Sequence, residues 1–342
     1  MVKYILCALG DLMHLLEKIK EKSFLVFGRA GIDLYADPAG TSAETSEMFC
    51  ADLGGSSANI CAGLSKLGCQ SALVTSVSDD VVGRFCLNRL AHYGVDTQFI
   101  KIKAGEHRTS LAVYESRLDN FQLCLYRNNA VDFQVDNQDV DQVDYASYGA
   151  LITAGTVFAG EPSRGSTFRA FEHAKKAGLP VIFDIDYRPY SWSSSKVASD
   201  VLTRAGMASD LIVGNDEEFG FMAGEYDKGL DQARALAEQG KLVIYKKGSE
   251  GAITFAEDAE IRTGIYPVTA IKPNGAGDSF LAGMLAAIAH GCDLKHAILR
   301  GSACASIVVS NPGCAPAMPD TPILNSFLKS HPGPTAPLLT GV

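Results

Sequence analysis

Short apolar runs alternate with amphipathic stretches along most of this chain, and that alternation constrains the fold more than any other feature. Ser23–Gly28, Ser71–Val77, Ala150–Thr153, Pro180–Ile185, Leu211–Val213, Leu242–Tyr245 and Ala252–Phe255 have the length and near-continuous hydrophobicity of buried strands. Gly55–Leu67, Val81–Tyr93, Arg164–Lys176, Val197–Ala205, Leu230–Gln239, Gly277–Ala289 and Leu294–Val309 carry helical periodicity between and after them. Strands alternating with helices predict an α/β chain: a mostly parallel central sheet with helices on both faces. Residues 98–127 break the rhythm. There Phe99–Ile102, Thr109–Glu115 and Phe121–Tyr126 follow one another as strands, which predicts a small second sheet. In open parallel sheets, ligands bind outside the carboxyl ends of the strands. Gly28–Asp33, Asp184–Arg188, Asn215–Glu218 and Lys247–Gly251 each directly follow a predicted strand, so a single site at that end is expected.

Composition excludes several kinds of site. The formal net charge of −9 over 342 residues leaves no basic footprint for nucleic acid. A phosphate must therefore be held by a local device such as a helix N-terminus. The nine cysteines are odd in number and lack zinc-like spacing, which fits reduced thiols in a cytoplasmic protein. No apolar run reaches the roughly 18 residues that span a membrane. The chain has no Walker A motif, no Gly-x-Gly-x-x-Gly after its first strand and no Gly-x-Ser-x-Gly elbow, and its histidines form no ligand pattern. Residues 1–22 read as an N-terminal extension, with Leu12, Leu15, Leu16 and Ile19 on one helical face. This is either a short amphipathic helix capping the domain or a start upstream of Met13. Residues 321–342 read as a C-terminal tail, of which the Pro/Gly-rich part from His331 is expected to be loose.

The most chemical stretch is Asn274-Gly275-Ala276-Gly277-Asp278-Ser279-Phe280, where two glycines flank Ala276 and an apolar helix starts at once. Small residues let backbone approach an anion, and the free N–H groups and dipole of a helix start attract it. Asp278 would lie beside such an anion and could take a proton from an attacking hydroxyl. The same residues would equally make a tight turn with Asp278 capping the helix. A second Gly-rich helix start, Leu53-Gly54-Gly55-Ser56-Ser57-Ala58-Asn59, carries an amide one turn in. It suits a polyhydroxylated ligand, or serves as a plain cap through Ser56.

Taken together, the early GGSSAN and late GAGDSF segments resemble the PfkB (ribokinase-like) carbohydrate kinases, over about Phe24 to Pro319. Further runs, Gly31–Ala36, Tyr126–Asn129, Asp184–Pro189, Ile212–Asn215 and Gly313–Pro319, resemble the members that phosphorylate 5-dehydro-2-deoxygluconate in myo-inositol catabolism. The resemblance implies a ribokinase-like kinase domain at 23–320, with a β-sheet lid from about 33–52 and 98–127 that pairs two subunits as a homodimer. It implies ATP as phosphoryl donor, Mg²⁺ as cofactor and a small-molecule sugar acid as acceptor. Asp278 would be the base and Gly275, Ala276 and Gly277 the anion hole. Asp33, Gly54, Gly55 and Asn59 would bind sugar hydroxyls. Asn215 and Glu218, the family's NxxE element, would organise the metal and phosphates, partly through water. Lys247, Gly248, Gly251 and Ser302 would lie beside the nucleotide.

Tyr126, Arg127 and Arg188 bear on substrate choice, because a sugar acid needs a guanidinium fork for its carboxylate. The Tyr126-Arg127 pair also resembles the 2-keto-3-deoxygluconate kinases. That activity, a fructokinase and a non-catalytic sugar-sensing domain are the alternatives. One departure stands out. Lys272 occupies the segment that helps hold a monovalent cation in ribokinase-like members, which implies weak or absent K⁺ activation.

Overall fold

The computed structural model describes residues 12–115, 117, 122–256 and 259–337. Its strands are β1 Ser23–Phe27, β2 Gly31–Asp37, β3 Met48–Gly54, β4 Gln70–Ser78, β5 Ile100–Lys103, β6 Ser110–Tyr114, β7 Leu123–Tyr126, β8 Ala150–Ala154, β9 Val181–Asp184, β10 Leu211–Asn215, β11 Leu242–Lys246, β12 Ala252–Ala256 and β13 Ala259–Thr263. Nine of them form one sheet in the order β13-β12-β11-β10-β9-β8-β1-β4-β5. Its members from β5 to β11 run parallel, and β12 and β13 close one edge antiparallel.

The sheet is covered on both faces, which is why its strands are apolar throughout. Alternate residues of β1 show the division. Phe24 and Val26 join one core with the helices Ser56–Lys66, Ala276–Ala289 and Leu294–Val309. Leu25 and Phe27 join the other, with the helices Ser163–Lys176, Ser195–Ala208 and Gly229–Ala237. The two long C-terminal helices approach closely because they are rich in small residues. A Cβ on Gly283 would lie 2.5 Å from Cys304 Sγ, and one on Gly301 would lie 2.6 Å from the Phe280 carbonyl oxygen. Residues 12–19 form a helix whose Leu15 and Ile19 are buried in the first core. The amphipathic helix expected there is therefore packed on the domain. Residues 1–11 of the extension lie outside the described residues.

The separate small sheet has the order β3-β2-β6-β7, with β2 and β6 parallel and the other pairs antiparallel. Its composition corrects the sequence reading in one place. The strand at Phe99–Ile102 is not part of it: Ile100–Lys103 extends the main sheet beside β4, because Ile100 is buried in the first core. The lid segment expected at about 33–52 supplies most of β2 and β3. β3 is exposed along Met48–Ala51, so it lacks the apolar alternation that marks a strand. The start of the predicted strand at Phe121 lies outside the described residues; β7 begins at Leu123. The helix Thr321–Ser330 orders much of the C-terminal segment, capped by Asp320 and anchored by Leu324 in the first core.

Candidate active site

A cavity of about 580 Å³ opens at the carboxyl ends of the parallel strands, beneath the small sheet. Gly275 adopts a left-handed φ of +79° as the helix N-cap, and Ala276 opens the helix Ala276–Ala289. A side chain at Gly275 would also press on Cys314, at 2.8 Å from Sγ. The first-turn N–H groups have no intrahelical partner by geometry, and no side chain caps them here. They lie in the cavity lining with Gly275, Ala276, Gly277 and Asp278.

Asp278 does not cap its own helix. Its Oδ2 accepts a hydrogen bond from Asn59 Nδ2 at 2.8 Å, joining the two Gly-rich helix starts across 219 residues of chain. Ser56 does not cap either, since its Oγ donates to Asp186 Oδ2 at 2.6 Å and Gly55 is the N-cap. Both capping alternatives thus give way to side chains aimed into one cavity. Burial, with Asp186 adding like charge, raises the Asp278 carboxyl to about 7, although Asn59, Arg188 and Lys246 pull it down. Below that pH the free protein holds Asp278 largely protonated, and a protonated carboxyl cannot accept the hydroxyl proton. kcat/KM should therefore fall about tenfold per pH unit on the acid side of about 7. A kcat/KM profile flat down to pH 5.5 would contradict the raised carboxyl of Asp278.

Asp33 projects from β2 and is buried, with a side-chain oxygen, Oδ1, that has no protein partner. Its other oxygen accepts from Tyr35 Oη at 3.1 Å. Burial raises this carboxyl to about 6, opposed by Arg29 and Tyr35. An unsatisfied buried acceptor facing a cavity suits a ligand hydroxyl. Gly54 does not line the cavity but makes room for this carboxylate: a Cβ there would sit 1.9 Å from Asp33 Oδ1. Gly55, at φ +100°, passes against the Arg29 backbone.

Asn215 and Glu218 form a reciprocal capping box on the helix Asp216–Ala223, with both bonds at 2.8 Å, and both line the cavity. Gly248, Gly251 and Ser302 line it as well. Besides Gly54, three expected residues are not brought in. Lys247 pairs with Glu250 at 2.5 Å, and its neighbour Lys246 faces the cavity instead. Successive residues at a strand end point to opposite sides, so the ammonium that reaches the site belongs to the last residue of β11. Tyr126 is 61% exposed and absent from the lining. Arg127 is buried with its Nε and Nη2 on Asp132 and its Nη1 on the Thr156 carbonyl at 2.9 Å. Truncating it should cost about 3–5 kcal/mol of stability by stranding Asp132. A depressed melting temperature checks this.

The sequence reading assigned no role to Arg29, Asp184, Asp186 and Lys246, which all line the cavity. Asp186 holds Arg188 at 2.7 Å and accepts from Ser56. Burial would raise Asp186, but Arg188, Ser56, Arg29 and Arg127 hold it below the usual carboxylate range. Asp184 is pushed well up by burial and by Glu218, Asp186 and Asp278, against the pull of Lys246. Among the described residues, no group of three His, Cys, Asp or Glu side chains converges to ligate a metal directly. Asp184 ends β9, but Asp186 follows at a left-handed φ of +36°, a turn that strand periodicity does not announce.

Comparison with known proteins fits this geometry. The profile of the pfkB family carbohydrate kinases matches residues 21–321. The 5-dehydro-2-deoxygluconokinase of Photobacterium profundum is 34% identical over 313 residues, covering 90% of this chain and 95% of that one. The solved structure of a PfkB protein from Polaromonas sp. JS666 superposes with a TM-score of 0.75 at 25% identity, covering 86% of this chain and 98% of that one. A fructokinase from Vibrio cholerae O395, with fructose, ADP and a calcium ion bound, superposes with a TM-score of 0.80 at 24% identity, covering 90% and 99%. No helix among the described residues is long and apolar enough to cross a membrane.

Proposed function

The chain belongs to the pfkB family of carbohydrate kinases, and from that premise we propose that it transfers the γ-phosphoryl group of ATP to a sugar acid, with 5-dehydro-2-deoxygluconate as substrate and its 6-phosphate as product. The observation that carries this reading is the Asn59–Asp278 bond, which sets a carboxylate of raised pKa beside the helix N-terminus in a cavity shared with Asp33. The sugar hydroxyl oxygen forms a bond to the γ-phosphorus as the bond from phosphorus to the β,γ-bridging oxygen breaks, and Asp278 takes the hydroxyl proton. The N–H groups at Gly275–Gly277 and the Lys246 ammonium receive the charge on the transferred oxygens. A Cβ on Gly277 would lie 3.4 Å from Lys246 Nζ, so the ammonium borders that turn. The small sheet over the sugar excludes competing water.

A divalent cation, Mg²⁺ in this reading, fits a cavity wall with Asp184, Asp186 and Glu218 in mutual electrostatic range. Those carboxylates, with Asn215, would hold it partly through water, and when bound it neutralises charge on the β- and γ-phosphates. The domain is assigned to residues 23–320, with β2, β3, β6 and β7 as its lid. Met48 and Phe49 on β3 and Tyr126 on β7 are exposed apolar groups of that lid, and they support its pairing with a second copy of the chain. The acidic charge, the free cysteines and the absence of a spanning helix among the described residues support a cytoplasmic setting.

Acid specificity is assigned to Arg188 and Arg29, the guanidinium groups in the cavity lining. Arg29 spends Nη1 on Ser110 Oγ at 2.9 Å, and Arg188 is anchored by Asp186. Arg188→Ala should raise KM for the sugar acid by about tenfold or more, since a charge-assisted bond is worth roughly 1.5–3 kcal/mol. It should leave the KM for a neutral sugar such as fructose unchanged. Equal changes for both substrates would refute carboxylate recognition by Arg188.

A further inference from the structure

Lys272 is wholly buried, at 0% exposure. Its ammonium donates to two backbone carbonyls, Asn274 O and Val308 O, each at 2.9 Å. A buried ammonium is costly unless it is well coordinated. The two carbonyls come from separate elements. Asn274 directly precedes Gly275, so its carbonyl belongs to the turn that presents N–H groups to the cavity. Val308 lies in the last turn of the helix Leu294–Val309, at the negative end of its dipole, and its carbonyl also accepts from Asn311 N–H at 3.3 Å. The backbone ties the same places together: Ile271 N–H donates to the Val309 carbonyl at 2.8 Å. Cys314, Asp278 and Asp33 lie in electrostatic range of the ammonium. A compact positive charge held between backbone carbonyls is the arrangement in which proteins hold a bare monovalent cation.

We propose that the Lys272 ammonium is a tethered cation: it pins the Asn274–Gly277 turn to the end of the helix Leu294–Val309, and so positions the anion-receiving N–H groups without a dissolved monovalent ion. Lys272 is a positioning residue, acting through the turn, and in its catalytic part the proposal rests on the kinase reading above. Lys272→Ala removes the ammonium and leaves two carbonyls around a vacated space. The variant should acquire the cation dependence that the native chain lacks.

The test is kinase turnover and melting temperature for wild type and Lys272→Ala, in choline, potassium and ammonium chloride at one ionic strength. Wild-type kcat should change less than about twofold between salts. In choline, Lys272→Ala should lose about tenfold or more in kcat with KM for the sugar nearly unchanged, because a transition-state interaction is lost. Potassium or ammonium should restore much of that loss and raise the variant's melting temperature but not that of wild type. Undiminished turnover of Lys272→Ala in choline, or its native melting with a kcat loss that no cation restores, would overturn the proposal, as would several-fold activation of wild type by potassium. Lys272→Met retains the stem and fills the space. Should the alanine variant fail to fold, Lys272→Met is expected to melt near wild type with the same kcat loss and no rescue, and unchanged kcat would overturn the proposal. If wild type phosphorylates no sugar, the kinase reading fails separately. The cation-dependent melting of Lys272→Ala then decides: a shift equal to that of wild type overturns the tethered cation.

Discussion

Asp278→Asn is expected to lower kcat by about 10²–10⁴-fold, the usual worth of a positioned general base. KM values for sugar and ATP should stay within about threefold, since the lost interaction is made only as the proton moves. The substitution is nearly isosteric, and Asn59 can turn its amide to keep a hydrogen bond to the new side chain, so the cavity should hold its shape. What disappears is the ability to take a proton. The geometry makes the loss specific: Asp278 has a raised pKa because it is buried near Asp186, and it is oriented by a single amide. Steady-state kinetics with a coupled ADP readout measures the effect. Retention of more than about a tenth of native turnover would remove Asp278 from the role of base.

Gly54→Ala is expected to cost about a hundredfold in kcat/KM for the sugar while leaving the KM for ATP unchanged. The added Cβ would fall 1.9 Å from Asp33 Oδ1 and 2.3 Å from its Cγ, closer than real atoms approach. β2 and β3 are held together in register by Asp33 opposite Asp52 and Gly31 opposite Gly54, so the strands cannot easily part. The carboxylate has to turn away and lose its sugar partners, and hydrogen bonds to a charged group are worth about 1.5–3 kcal/mol each. Asp33→Ala should show a similar loss. Adding Gly54→Ala to Asp33→Ala should cost little more, because the two substitutions act on one interaction. A native sugar KM for Gly54→Ala would contradict the placement of Asp33 in the site.

The parallel core was legible in the sequence because strands covered on both faces must be apolar throughout, and helices that end at glycine separate them. The site was legible where backbone form dictates residue type: Gly275 needs its left-handed φ, and the two Gly-rich helix starts lie where open sheets bind ligands. What the sequence could not supply was parity and pairing. Lys246 and Lys247 are adjacent and chemically alike, and only the register of β11 decides which one faces the cavity. Arg127 and Arg188 were equal candidates for a carboxylate until Asp132, five residues after Arg127, proved to hold it. Arg29 had no motif around it; it reaches the site because β1 ends two residues earlier and the chain turns into β2. Lys272 was legible as a departure, but its carbonyl partners lie in different elements and become neighbours only in the fold.

The central claim, that this kinase acts on a sugar acid, is tested most directly by ADP release from the purified protein with ATP, Mg²⁺ and one acceptor at a time: 5-dehydro-2-deoxygluconate, 2-keto-3-deoxygluconate or fructose. The highest kcat/KM is expected for 5-dehydro-2-deoxygluconate, by about tenfold or more over fructose, because a neutral acceptor forgoes the charge-assisted bond to Arg188. Preference for fructose, or no ADP release with any acceptor, would contradict it.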